Sequence, residues 1–274
     1  MFGKRRLTIL TYFLAVFIFL LTLSGDGAAL LQGLDRMRSG NKASAELDIA
    51  SARTEKLLME GTPWETTLYI IGSPVEGPTV MVIGGIHGDE PAGYLAAESI
   101  VSWAVDRGTL LVLPRANMPA VAEQKRSVSG SADLNRSFPG SDRSDDQTAR
   151  LAAAIFGVMQ EYEPDWVVDL HEADHCEYKS PGALGQTFIY PYESSGLDIV
   201  KELLIAVNRT IYLEEYNFML LRGAAHGTAI ETAQLSGSEA IIIETCKQMD
   251  LSERVKYQRQ VVSSLLYLLG VAVF

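Results

Sequence analysis

Residues Val80 to Pro91 read VMVIGGIHGDEP, a β-branched run that breaks at two glycines and then sets His87 three residues before Glu90. Residues three apart at a helix start lie on one face, so an imidazole and a carboxylate there can reach one cation. Nitrogen with carboxylate oxygen suits zinc. The plainer alternative is an ordinary loop-to-helix junction, where acidic residues are common near the helix N-terminus. A second group of candidates lies in Asp169 to His175, DLHEADH. Taken as H-E-x-x-H, His171 and His175 would both bind zinc with Glu172 as base, but that chemistry needs the whole motif inside a helix. The approach Trp166 to Leu170 favours a strand, and the charged Asp174 sits at an inner position of the motif. In the other reading His171 alone is a ligand reached from a strand end, Asp169 orients its ring, and His175 is a loop residue without a role. Glu244 directly follows the apolar run Ala240 to Ile243. In the loop DLNRSFPG, Asp133 to Gly140, Asn135 offers an amide donor and Arg136 a planar fork for a carboxylate. Arg126 and Arg115 precede it, and either can stand by a developing oxyanion. Alone, D-L-N-R also reads as a solvated surface turn.

These groups need elements to hold them. Strands are expected at Thr66 to Ile71, Thr79 to Ile83, Thr109 to Leu113, Trp166 to Leu170, Thr187 to Tyr190 and Ala240 to Ile243. Helices are expected at Ala92 to Val105 (with Pro91 at its start), Asp145 to Tyr162, Leu197 to Ile211 and Leu251 to Leu269. Pro114 to Ser144 is too long and too rich in Pro, Gly, Ser and Asn for a mere connector. The alternation predicts an α/β fold, a single domain with a mixed central β-sheet between helical layers. Ligands of such sheets bind beyond the carboxyl ends of the strands. His87, His171 and Glu244 all follow predicted buried strands, which favours the metal reading of H-x-x-E.

The N-terminus reads differently. Lys4, Arg5 and Arg6 precede an uncharged apolar run from Leu7 to Leu23, followed by small residues through Ala29. This is the layout of a secretory signal peptide or an uncleaved membrane anchor. The expected organisation is therefore a signal or anchor at 1–29, a tether and first element at 30–60, and a catalytic domain at 61–274. The basic flank places that domain outside the cytoplasm, with membrane contact only through the N-terminal segment. The net charge is −11, and loss of residues 1–29 leaves the remainder more acidic still. Such a domain is a poor partner for nucleic acid or an anionic membrane surface. Cys176 and Cys246 are the two cysteines. Their pairing is left open by the sequence, and the absence of C-x-x-C excludes a cysteine zinc knuckle.

Taken in order, H-G-D-E at His87 to Glu90, D-L-N-R-x-F-P-G at Asp133 to Gly140, D-L-H at Asp169 to His171 and I-I-E-T at Ile242 to Thr245 resemble the succinylglutamate desuccinylase/aspartoacylase branch of the zinc carboxypeptidase superfamily. The resemblance spans roughly Thr79 to Thr245 and implies a zinc carboxypeptidase-like (phosphorylase/hydrolase-like) fold. It implies that His87, Glu90 and His171 bind one zinc ion per chain, with water completing the site. Glu244 is then general base and proton shuttle, Arg126 supports the oxyanion, and Asn135 and Arg136 grip a substrate carboxylate. The chemistry is coherent, because three protein ligands leave an open position at which zinc lowers the pKa of water. The few residues expected after the last helix are not expected to hold the β-rich C-terminal domain that shapes the acyl pocket in many relatives, so their specificity is not expected to transfer. An export segment is also unexpected for a cytoplasmic desuccinylase.

The expected function is a zinc-dependent hydrolase cleaving an amide bond in an N-acyl amino acid or short peptide with a free carboxylate. Two alternatives stand beside it: a metallocarboxypeptidase acting on cell-envelope peptides such as peptidoglycan stems, and a catalytically inactive surface binding protein. Glu244 separates them, since a binding module has no need of a carboxylate base beside the metal. Substrate specificity and oligomeric state are not legible in the sequence.

Overall fold

The β-branched runs pair into one sheet. The computed structural model describes residues 52–179, 182–192 and 194–274, and the apolar run read as a signal or anchor lies outside them. The strands are β1 (Ala52–Leu58), β2 (Thr66–Gly72), β3 (Thr79–Gly84), β4 (Thr109–Leu113), β5 (Trp166–Ala173), β6 (Thr187–Tyr190), β7 (Met219–Arg222) and β8 (Glu239–Cys246). Among the described residues they form an eight-stranded sheet in the order β1-β2-β4-β3-β5-β8-β6-β7. The centre, β4-β3-β5-β8, is parallel, whereas β1 and β2 run antiparallel on one side and β6 pairs antiparallel with β8 on the other. The sheet is therefore mixed, as expected, and central strands buried on both faces appear in sequence as continuous apolar runs.

Side chains alternate between two cores. Val80 and Val82 of β3 with Ile241 and Ile243 of β8 face α1 (Pro91–Ile100), α4 (Leu197–Asn208) and α6 (Leu251–Leu268). Met81 and Ile83 with Ala240 and Ile242 face α3 (Gln147–Tyr162) and α5 (Ala229–Ala233). On this second face Asp169 and His171 follow Val167 along β5, and Glu244 follows Ile242 along β8, by the period of two that governs strands. His171 and Glu244 are direct partners across the parallel pair.

Two helices end earlier than their sequence suggests. The helix expected to reach Val105 stops at Ile100, because the chain turns to pair with the C-terminus: Val105 bridges Val273, and Ala104 N donates to Phe274 O at 3.1 Å. The helix expected to reach Ile211 stops at Asn208. There the Asn208 amide bonds both backbone groups of Phe218, at 2.8 and 2.9 Å, ahead of β7. Inside the long central loop lie α2 (Met118–Glu123) and a short 3-10 turn at Leu134–Arg136. Among the described residues no helix is long and apolar enough to cross a membrane.

Candidate metal centre and its cavity

His87, Glu90 and His171 converge behind the carboxyl ends of β3 and β5, all three almost fully buried, with candidate ligand atoms within 4.8 Å of one another. The His87 and His171 Nδ1 atoms lie 3.1 Å apart. Each is also 2.8 Å from an oxygen of the Glu90 carboxylate. The far nitrogens fix the tautomers: His171 Nε2 meets Asp169 Oδ2 at 2.9 Å and His87 Nε2 meets Asp133 Oδ1 at 3.1 Å. With both Nε2–H groups donating to carboxylates, both Nδ1 lone pairs point at the same spot. Two lone pairs so placed repel unless a positive charge stands between them. Tetrahedral zinc with nitrogen ligands at ~2.0–2.1 Å would hold the two nitrogens about 3.3 Å apart. The donor set thus fits a zinc-like cation.

The charges agree with this reading. Burial alone would raise the Glu90 pKa, but the two imidazoles hold it well below the usual carboxylate range. Burial would lower the His87 pKa, yet Glu90 and the Asp133 bond raise it; Asp169 and Glu90 raise that of His171 further, against its burial. A site that strongly attracts protons onto two imidazoles is one that attracts a cation.

The motifs have visible causes. Gly88 is required because a Cβ there would lie 1.8 Å from Ala120 O, where the H-G-D-E turn presses on α2. The loop Asp133 to Gly140 is anchored by the buried Leu134 and Phe138. The Asp133 side chain caps the turn by accepting from Asn135 N at 2.9 Å. Gly227 allows the chain before α5 to approach the same turn, since a Cβ would stand 2.5 Å from Arg136 O.

A cavity of about 630 Å³ opens on the cluster, and His87, Glu90, His171, Arg126, Asn135, Arg136 and Glu244 all line it. Glu244 is buried; desolvation pushes its carboxyl up to about 7, with the His171 ring opposing and Glu90 adding to the rise. Arg126 donates to Asp133 Oδ2 from Nε and Nη2, at 3.1 and 2.9 Å, and brings Nη1 to 3.7 Å from Glu90 Oε1. Asn135 is buried, its Oδ1 accepting from Ala229 N at 3.1 Å, which turns Nδ2 toward His171. Arg136 is exposed at the cavity wall, and among the described residues its side chain bonds only Asn135 O, at 2.6 Å. Arg115 lies elsewhere, bonded to Glu98 and stacked 4.8 Å from the Tyr94 ring centre. Of the two arginines, Arg126 is the one in the cavity.

The H-E-x-x-H alternative does not survive the backbone. His171 and Glu172 both belong to strand β5 and point to opposite faces. Glu172 accepts from Ala92 N at 2.8 Å and bonds Arg254 of α6. His175 is exposed, 3.2 Å from the Gln248 amide.

Some supporting residues carried no signal in the sequence. Asp133 serves two partners at once, His87 and Arg126, a role that only the folded loop reveals. Gln258 of α6, fully buried, donates to His171 O at 2.9 Å and to Thr245 Oγ1 at 2.8 Å. Cys176 and Cys246 are joined in a disulfide with Cα atoms 4.8 Å apart, tying the loop after β5 to the end of β8.

Comparison with known proteins follows the same lines. Residues 76–269 match the family model described as the succinylglutamate desuccinylase/aspartoacylase catalytic domain. An N-alpha-acetyl-L-2,4-diaminobutyric acid deacetylase from Halomonas elongata is 38% identical over 100 residues, which is 35% of this chain and 29% of that protein. Among solved structures, the mDAP-bound Csd4 of Helicobacter pylori, a D,L-carboxypeptidase, superposes with a TM-score of 0.66 at 22% identity over 72% of this chain and 52% of its own. A succinylglutamate desuccinylase/aspartoacylase from Rhodobacter sphaeroides gives 0.61 at 22% identity, over 84% and 69%. At such identities the structural likeness is one of fold. The chain spans about half the length of Csd4 and less of the deacetylase.

Proposed function

The chain belongs to the succinylglutamate desuccinylase/aspartoacylase family, and on that footing we propose that it is a zinc-dependent hydrolase. Its substrate is an N-acyl amino acid or short peptide bearing a free carboxylate near the cleaved amide. The observation that carries this reading is the pair of imidazole Nδ1 atoms 3.1 Å apart over one carboxylate, with a second, protonatable carboxyl in the same cavity.

His87, Glu90 and His171 would hold a zinc ion, and Asp133 and Asp169 keep both rings in the tautomer that ligation needs. Zinc, when bound, supplies a Lewis acid and lowers the pKa of water. Glu244 accepts a proton from the attacking water and gives it to the leaving nitrogen as the amide C–N bond breaks, a role suited to a carboxyl whose burial moves it toward neutrality. The Arg126 guanidinium faces the ligand Glu90 and donates to the oxygen on which charge develops. Asn135 Nδ2 and Arg136 bind the substrate carboxylate, which sets the scissile carbonyl in reach. The shared stretch with an acetyl-diaminobutyrate deacetylase supports an acyl amino acid as substrate. An exported location is proposed from the basic-apolar N-terminus and is supported by the disulfide.

A hydrolysis screen of N-acyl amino acids beside short L- and D-peptides, with and without chelator, tests this. Chelator-sensitive release of an amino acid from acyl substrates is expected. Cleavage of peptides alone selects the envelope carboxypeptidase, and no turnover with tight ligand binding selects a binding protein.

A further inference from the structure

Glu90 sits at the N-cap of α1, yet its side chain makes no cap hydrogen bond. An N-cap side chain ordinarily accepts from the second or third helical N–H. Both Glu90 oxygens are engaged instead with the His87 and His171 rings, and Oε2 also accepts from Glu172 N at 3.0 Å. Pro91, the first helical residue, has no N–H to satisfy. The second donor, Ala92 N, is taken from outside the helix by Glu172 Oε2 at 2.8 Å. Glu172 therefore holds the segment 90–92 at both ends, by its backbone at Glu90 and by its carboxylate at Ala92.

The fold keeps this exchange at a fixed spacing. Gly93 brings α1 onto β5, since a Cβ there would lie 2.5 Å from Leu170 O. The Glu172 carboxylate stands on the opposite face of β5 from the His171 ring and is fully out of solvent. A buried carboxylate is costly unless it is paired. Its other oxygen, Oε1, accepts from Nη1 of Arg254 on α6, which is itself nearly buried. Negative charge at a helix N-terminus is favourable as well. Without this acceptor Ala92 N is left unpaired in the interior, and Glu90, as the N-cap residue, is the carboxylate placed to answer it. A Glu90 side chain that caps its own helix is withdrawn from the imidazoles.

We propose that Glu172 is a positioning residue, which caps α1 in place of Glu90 and so keeps the Glu90 carboxylate aimed at the two imidazoles, with Arg254 as its counter-charge. The inference rests on the zinc reading above and adds to it a residue that acts through Glu90. Glu172 occupies the base position of H-E-x-x-H, and the strand backbone gives it this different task.

Zinc affinity of the metal-free protein, measured by competition with a chromophoric chelator, tests the consequence. Glu172→Ala is expected to weaken zinc about ten- to hundredfold, the usual cost of losing a group that orients a ligand. The double variant Glu172→Gln with Arg254→Met keeps an acceptor for Ala92 N and removes both charges, so most of the affinity should return. Val261→Ala opens the core beneath α6 and should leave the affinity unchanged, which controls for lost stability. Cobalt in place of zinc should show altered visible bands in Glu172→Ala and bands like the parent's in the double variant. An unchanged affinity in Glu172→Ala, an equal loss in Val261→Ala, or a double variant as weak as Glu172→Ala overturns the proposal. Hydrogen exchange of the metal-free proteins separates such a failure from that of the zinc reading. A parent that takes up no zinc sinks the zinc reading, and exchange then decides alone. Faster exchange at the start of α1 in Glu172→Ala supports the cap, whereas unchanged exchange overturns it.

Discussion

The two ends of the cavity are built by different means. At the candidate metal cluster His87, Glu90, His171 and Glu244 stand on or just after central parallel strands and are buried; buried Asp169 and half-buried Asp133 lie behind the imidazoles, and buried Gln258 lies behind the His171 carbonyl. The far wall comes from edge strand β7 and the loops after β5 and β6, and its polar side chains, Tyr178, Tyr192 and Arg222, are exposed. A disulfide, beside a hydrogen bond from Cys246 N to Gln186 Oε1 at 3.2 Å, fastens the loop after β5 to β8. The contrast teaches where each demand is met. Chemistry needs placement to within a fraction of an ångström, which a strand supplies, while specificity tolerates a loop held at its ends.

The comparison breaks first at Glu244. Glu244→Gln should retain the metal and lose at least about 10²-fold in kcat, as removal of a general base does; activity near the parent level would refute its role. The intact protein should show an acidic limb in kcat/KM. With its carboxyl raised from the usual 4.5 to about 7, Glu244 is protonated and unable to act as base below that pH. A bound dication favours the carboxylate and draws the limb lower, so a midpoint above pH 7 counts against the assignment. The same rise makes Glu244 a cost to folding that appears as pH climbs from 4.5 through 7, since the unfolded carboxyl ionises first.

A smaller effect is expected at the other end. Replacing both cysteines by serine should cost about 2–4 kcal/mol in stability and raise KM several-fold through the loop, with zinc content unchanged. Loss of zinc in that variant would mean that the two ends are not independent and would erase the distinction drawn between them.

The same contrast explains what the sequence reveals. Strands β3, β5 and β8 are buried on both faces and read as apolar runs, broken in β5 only by Asp169, so the residues they present are legible as strand-end chemistry. Strands β1 and β7 are edges with exposed residues, ARTEKLL and MLLR, and carry no such pattern. Helix α5, five residues long, is too short for a periodicity to show. Asn135 and Arg136 were visible through their motif and do reach the cavity. The double engagement of Asp133 and the position of Arg222 depend on contacts between segments distant in the chain. Choosing Arg126 over Arg115 likewise needs the fold, because composition alone does not say which arginine Glu98 and Tyr94 have claimed.

The central claim is that His87, Glu90 and His171 form a single zinc site. Elemental analysis of purified protein beside its His171→Ala variant tests it most directly. Close to one zinc per chain is expected in the first and almost none in the folded second. Equal zinc in both, or none in the parent even after zinc is supplied, would contradict the site.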